Sequence, residues 1–218
     1  MSYRKLLLQV VALTITALLL VACGAPPQPP HPVGEPVDVG GWHAAQTWMV
    51  KYALQIDPKE KQASGWRVSV KNAGPRDLAL TGSGGQFYCV LLALGNTTAD
   101  PGALDLTAGS PMLIDPHGAK YPVKGMRLGS ELFVLPDRQS GSISSATQCS
   151  FSAPDAEGRQ KADCESMLSA ESNGKTFDRA LVAVGASKTV DLEIAFEVPA
   201  SVSGWVLEWP DGVRFALP

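Results

Sequence analysis

From Trp48 onward the chain alternates apolar and polar positions with a period of two. Val50, Tyr52, Leu54 and Ile56 fall on one side with Lys51, Ala53 and Gln55 on the other, and Trp66, Val68 and Val70 alternate with Arg67, Ser69 and Lys71. Successive side chains of a strand point to opposite faces, so both stretches predict half-buried strands. Asn72-Ala73-Gly74-Pro75 reads as a turn, with a short strand over residues 78–80 after it. Phe87 to Leu94 is one apolar run, as expected of a strand covered on both faces. Met112 to Ile114 leads into Asp115-Pro116-His117-Gly118, a type I turn with Pro second and Gly fourth, and then into Lys120 to Val123. Near the end, Val190, Leu192, Ile194, Phe196 and Val198 face inward while Asp191, Glu193 and Glu197 face solvent. Trp205, Leu207 and Trp209 pair across Pro210-Asp211-Gly212 with Val213, Phe215 and Leu217 as a hairpin.

Short strands separated by Gly- and Pro-rich turns predict an all-β fold, an antiparallel β-sandwich. Residues 136–178, rich in Ser, Gly and Ala, interrupt the pattern. They read as a partly irregular insertion between two sandwich strands. Its one helical candidate spans residues 156–170, where Cys164, Met167 and Leu168 would share a face.

The N-terminus follows a different rule. Arg4 and Lys5 precede a 17-residue stretch, Leu6 to Ala22, that is apolar apart from Gln9, Thr14 and Thr16, which is the layout of a secretory signal peptide. It ends in Leu20-Val21-Ala22-Cys23. This resembles the bacterial lipobox, and the resemblance implies cleavage before Cys23, with a diacylglyceryl thioether on its sulfur and in many bacteria a further acyl chain on the new amino group. A transmembrane anchor is the competing reading, for which 17 residues is the lower limit. Two or three acyl chains, at about 0.8 kcal/mol per buried CH2, hold firmly where one is marginal. Gly24 stands where Asp would retain a lipoprotein at the inner membrane, so in a two-membrane cell the family rule favours the outer one. Pro26, Pro27, Pro29, Pro30, Pro32 and Pro36 then predict a semi-rigid polyproline spacer with a reach of roughly 40 Å. The division is a signal peptide over residues 1–22, a lipidated Cys and Pro-rich linker over 23–41, and one β-domain over 42–218.

Composition narrows the function. The chain has 218 residues, 18% of them charged, and a net charge of −3, which becomes −5 once Arg4 and Lys5 are removed. No basic run stands in the body, which argues against nucleic acid as a partner. A domain of roughly 170 residues buries about 70% of its unfolded surface and needs no metal or cofactor to fold. With Cys23 lipidated, three of the four Cys remain. Export favours oxidation, and Cys149 with Cys164 would close a 15-residue loop for roughly 3 kcal/mol in the chain-entropy model. That pair is preferred, with Cys89 a buried thiol; bridges from Cys89 to Cys149 or to Cys164 are the competing pairings.

The ordered set Val68-Ser69-Val70-Lys71-Asn72, Leu78-Ala79-Leu80, Asp115-Pro116-His117-Gly118-Ala119-Lys120-Tyr121, Gly185, Phe196-Glu197-Val198-Pro199 and Trp205-Val206-Leu207 resembles the immunoglobulin-like lipoprotein domains of unknown function. That family is related in fold to a small secreted mycobacterial immunoprotective antigen. The resemblance covers roughly residues 45–217. It implies an exported binding or interaction module and supplies no catalytic residues. Two long connections, near residues 95–110 and 136–178, depart from the shorter family pattern.

Motifs for chemistry are sparse. Gly82-Ser83-Gly84-Gly85 lacks nucleophile-elbow spacing. Ser172-Asn173-Gly174-Lys175 fits Ser-x-x-Lys, but Asn-Gly marks a turn where the catalytic pair needs a helix. Residues 185–189 read as a tight turn, not a phosphate loop. His31 lies in the spacer, while His43 and His117 lack zinc-ligand spacing. Asp115 and Asp211 are explained as turn residues bonding the backbone. Trp66, Trp205 and Trp209 stand in register with Val and Leu and predict core, which leaves Trp42 as the candidate exposed aromatic.

The expected function is a membrane-tethered, non-catalytic envelope lipoprotein that binds a protein, peptide or glycan, with no catalytic residues, no metal and no cofactor. It would face the periplasm or the extracellular space. The alternatives are a hydrolase-type enzyme using Asp115, His117 and a Ser of the insertion, and a structural or chaperone-like accessory lipoprotein.

Overall fold

The computed structural model describes residues 28–39, 44–45, 47–50, 53–56, 65–76, 78, 86–99, 102–106, 111–130, 133–136, 140–158, 160–199 and 202–218. The signal segment, Cys23, Trp42 and His43 lie outside them, as does the glycine turn at 82–85. Among the described residues there is no helix. The strands are β1 (Val37–Val39), β2 (Ala44–Ala45), β3 (Thr47–Val50), β4 (Ala53–Ile56), β5 (Trp66–Arg76), β6 (Gln86–Asn96), β7 (Gly102–Asp105), β8 (Met112–Ile114), β9 (Lys120–Leu128), β10 (Ser140–Phe151), β11 (Gln160–Asn173), β12 (Phe177–Val184), β13 (Thr189–Val198), β14 (Val206–Glu208) and β15 (Arg214–Ala216).

One sheet has eight strands in the order β1-β5-β6-β13-β9-β8-β14-β15, and the other runs β2-β7-β12-β11-β3-β4 with β10 also paired to β11. Every ladder between these strands is antiparallel. In β13 the alternation works as expected: Leu192, Ile194 and Phe196 are fully buried in the main core. β9 changes partner along its length, pairing with β8 over Lys120–Pro122 and with β13 over Val123–Leu128. The core between the sheets takes Trp205, Trp209, Phe196 and Phe215 from the first and Leu104, Leu168 and Val182 from the second. Each buried aromatic of this kind is worth about 3–5 kcal/mol against Ala. Tyr121 meets Trp205 edge-on at 5.5 Å between ring centroids. Asn96 ties the two sheets together, its Nδ2 donating to Val184 O at 3.2 Å while its Oδ1 accepts from the amide and hydroxyl of Thr98.

Four expectations are corrected. The insertion at 136–178 is not irregular and holds no helix over 156–170: β10 and β11 form a long hairpin, and β11 also pairs with β12. β11 has β10 on one side and β12 on the other, so two ladders of backbone hydrogen bonds outweigh the low strand propensity of Ser and Ala. Leu168 and Ala170 enter the main core from alternate positions, and Met167, just before Leu168 in sequence, is buried on the opposite face. The single strand expected over 48–56 is a hairpin, with Val50 opposite Ala53. β5 continues through Asn72-Ala73-Gly74-Pro75 against β6, with Lys71 as an extra bulged residue. Pro75 is tolerated because β1 reaches only Trp66 to Val68, leaving that side of β5 unpaired among the described residues.

The fourth correction concerns the spacer. Its later part lies on the domain instead of standing free. His31 pairs in parallel with Phe215, donating its amide to Arg214 O at 2.7 Å and accepting from the Ala216 amide at 2.9 Å. The Gly34 amide donates to Val70 O at 2.8 Å, and β1 pairs with β5. Residues 31–39 therefore reach both ends of the eight-strand order, pairing with β15 at one end and forming the outer strand β1 beside β5 at the other.

Candidate functional site

Asp115 and His117 sit together in the β8–β9 turn. The Gly118 amide donates to Asp115 O at 3.0 Å, closing the turn, and Gly118 takes φ +85°, which suits glycine. The Asp115 carboxylate accepts from the amides of His117 and Ala119, both at 2.8 Å. Partial burial pushes its pKa up, but these two amides, His117 and the Tyr121 hydroxyl outweigh it and hold the carboxyl below its usual range. The carboxylate is thereby committed to the backbone, and the His117 side chain projects to solvent. Ser172 of the Ser-x-x-Lys motif donates its hydroxyl to Pro136 O at 2.8 Å and accepts from the Gly174 amide. Ser187, at φ +53°, lies in the tight turn before β13, where the Lys188 amide donates to Gly185 O. Trp66, Trp205 and Trp209 are core residues, as their register predicts.

Glu193 departs from the solvated row expected on β13. It does point to the outer face, yet it is only 1% exposed. Arg127 Nη2 grips one of its carboxylate oxygens, and Arg76 Nη1 stands 3.2 Å from the other. Arg127 also lies over the Phe133 ring, 4.9 Å from its centroid. Residues 133–135 roof this spot, with Val134 bridged to Met126 and Leu135 pressed against Gly125. Beneath lies a small second cluster of Phe87, Cys89 and Ala195. Burial and the nearby Glu193 push the Cys89 thiol up to about 12, so it stays protonated. Nothing in the local alternation of β13 foretells this, because the roof comes from a distant segment.

Two concave surfaces accompany these clusters. A shallow groove of about 360 Å³ lies on the eight-stranded sheet, floored by Ala93 and Gly95 and walled by Arg67, Ser69 and Thr189. Arg67 is already paired there, its Nε donating to Asp38 at 2.7 Å. A narrower cleft of about 180 Å³ opens between the sheets, lined by Leu106, Val123, Met126 and Phe177 and edged by Lys124 and Lys175. Both flanks of this cleft carry a register shift. On β9, Gly125 opposes Ala195 and Val123 opposes Phe196, which makes Lys124 the extra residue. On β12, Arg179 opposes Glu171 and Phe177 opposes Ser172, which makes Asp178 the extra one. Bulges bend a strand and re-aim its side chains, and they recur beside functional sites.

Among the described residues no group of three or more His, Cys, Asp or Glu is placed to hold a metal ion, and no helix is long and apolar enough to cross a membrane. No family model, curated protein or solved structure matches the chain.

Proposed function

We propose that this chain is an exported, lipid-anchored envelope protein whose β-domain is an immunoglobulin-like sandwich serving as a non-catalytic binding module. The observation that carries the reading is the seating of residues 31–39 on the domain, right after the Pro-rich stretch that follows Cys23. A spacer that only keeps a domain away from a bilayer needs no hydrogen bonds to it; a mount that fixes the domain's orientation does. With His31 held, the free length from Cys23 is eight residues, about 25 Å as polyproline. One shared core fed by both sheets, with Phe196 and Trp205 from one and Leu168 and Val182 from the other, supports the sandwich reading. The fixed hydrogen bonds of Asp115 and Ser172 favour binding over hydrolysis, since both groups already serve the fold.

The backbone register sets Cys149 opposite Cys164 in the β10–β11 ladder, the pair proposed as the disulfide of the exported protein, though among the described residues no cysteines stand at disulfide distance. Metabolic labelling with an alkyne fatty acid tests the anchor. The full chain is expected to take the label and sediment with membranes, and Cys23→Ala to lose both properties. A wild-type chain that is unlabelled and soluble would sink the proposal.

A further inference from the structure

Most of the lysines and arginines with described side chains are matched. Lys71 holds Asp191 at 2.8 Å, Lys120 holds Glu208 at 2.7 Å and Lys188 holds Glu165 at 3.4 Å. Arg67, Arg76, Arg127 and Arg214 each pair with a carboxylate as well. Lys124, Lys175 and Arg179 are the cations with described side chains that have no acidic partner among the described residues, and the two lysines edge the 180 Å³ cleft. They reach it from different sheets, Lys124 as the bulged residue of β9 and Lys175 from the β11–β12 turn. A protein with more acids than bases has carboxylates to spare, so leaving two lysines unmatched at one apolar opening calls for an anion from outside.

We infer that the cleft binds an aliphatic carboxylate, its hydrocarbon among Leu106, Met126 and Phe177 and its charge between Lys124 and Lys175. The cleft is short, so a short-chain carboxylate such as hexanoate is the probe. Hydrocarbon gains from leaving water without any geometric demand. The lysines supply orientation, with the head group at the mouth. An inorganic anion would satisfy the lysines and leave the apolar floor unused; a neutral alkane derivative would do the reverse. This inference names a ligand for the binding module proposed above and takes its biological sense from that reading, while the binding itself is independent of the anchor.

The test titrates hexanoate calorimetrically into the full chain held in phosphatidylcholine nanodiscs, with empty discs as the reference. One hexanoate per chain is expected, with affinity rising about threefold to fourfold per methylene from acetate upward and levelling once the chain outgrows the cleft. Joint replacement Lys124→Gln and Lys175→Gln is expected to weaken hexanoate about tenfold or more, and 1-hexanol to bind the original protein about tenfold less tightly than hexanoate does. Far-ultraviolet circular dichroism establishes that the double variant is folded. Absence of saturable heat, equal affinity in the folded double variant, or inorganic phosphate binding as tightly as hexanoate would each overturn the inference. Hexanoate bound by a chain that takes no lipid label would leave the cleft standing and remove only the anchor.

Discussion

Arg127 and Lys124 lie three residues apart on β9 and are treated in opposite ways. Arg127 is roofed by Phe133 and clamped to a carboxylate that solvent cannot reach, so its charge is spent inside the fold. Lys124 is bulged out of register with β13 and edges an open cleft, with no acid paired to it among the described residues. The difference separates two uses of charge on a β-sheet. A buried ion pair adds little net stability over apolar residues, yet removing one partner is costly because the other is left unpaired. An unmatched cation at an opening costs little to keep and remains available to a ligand.

The largest break in this contrast comes from Glu193→Ala. It removes a carboxylate that is almost fully covered and leaves Arg127 and Arg76, both partly exposed, without their shared acid. A loss of about 3 kcal/mol is expected, read as a lower urea midpoint at unchanged slope. A change below about 1 kcal/mol would mean that solvent already reaches the pair, and the sealed half of the comparison would fall.

Next in size is Gly125→Ala. A β-carbon there would stand 2.6 Å from Leu135 Cδ2, and only the flexible end of that side chain can yield. Overpacking of this kind costs about 1 kcal/mol when a side chain can move aside. The roof then loosens over Cys89. In the original protein that thiol, pushed up to about 12, is expected to resist iodoacetamide at pH 8 until the chain unfolds. Gly125→Ala should speed labelling by more than its loss of global stability explains. Labelling that tracks global unfolding alone would show that residues 133–135 do not act as a separate cover.

Acid tests the hydrogen-bonded carboxylates of Glu208 and Asp115. The hydrogen bond from Lys120 does most to lower the Glu208 pKa, with burial opposing it and Arg214 assisting. Asp115 is lowered as well, its amide bonds outweighing burial. Both groups take up protons less readily when folded than when unfolded. Their contribution is therefore complete above the ordinary carboxylate range, near pH 4 to 4.5, and is lost as the pH falls through their lower folded values. A urea midpoint that declines only below about pH 4.5, with a smaller decline in Glu208→Gln, is the expected result. An unchanged acid limb in that variant would show that the Lys120 and Arg214 contacts carry no stability.

The sequence made one half of the comparison easier to see than the other. The hairpin over residues 205–217 and the inward row of β13 were legible because period two and a Pro-Asp-Gly turn are local signals. β11 was misread because Met167 and Leu168 are adjacent and both buried, which a helix face or a strand covered on both sides explains equally well. Only pairing with both β10 and β12 separates the two, and pairing is not local. Glu193 was placed on the correct face, but its cover comes from residues 133–135, about sixty positions away. The cleft had no sequence signal at all. It depends on two one-residue register shifts and on the meeting of β9 with the β11–β12 turn.

The smallest expected effect sharpens the contrast most. Lys124→Gln with Lys175→Gln removes two charges that support nothing in the fold, so the urea midpoint should move by no more than about 0.5 kcal/mol in either direction. The same change should remove most hexanoate binding. Glu193→Ala is its mirror image, with a large loss of stability and, wherever the variant remains folded, little change at the cleft. If the lysine pair proved as destabilising as the loss of Glu193, Lys124 would be a structural cation like Arg127, and the bulge on β9 would serve packing instead of recognition.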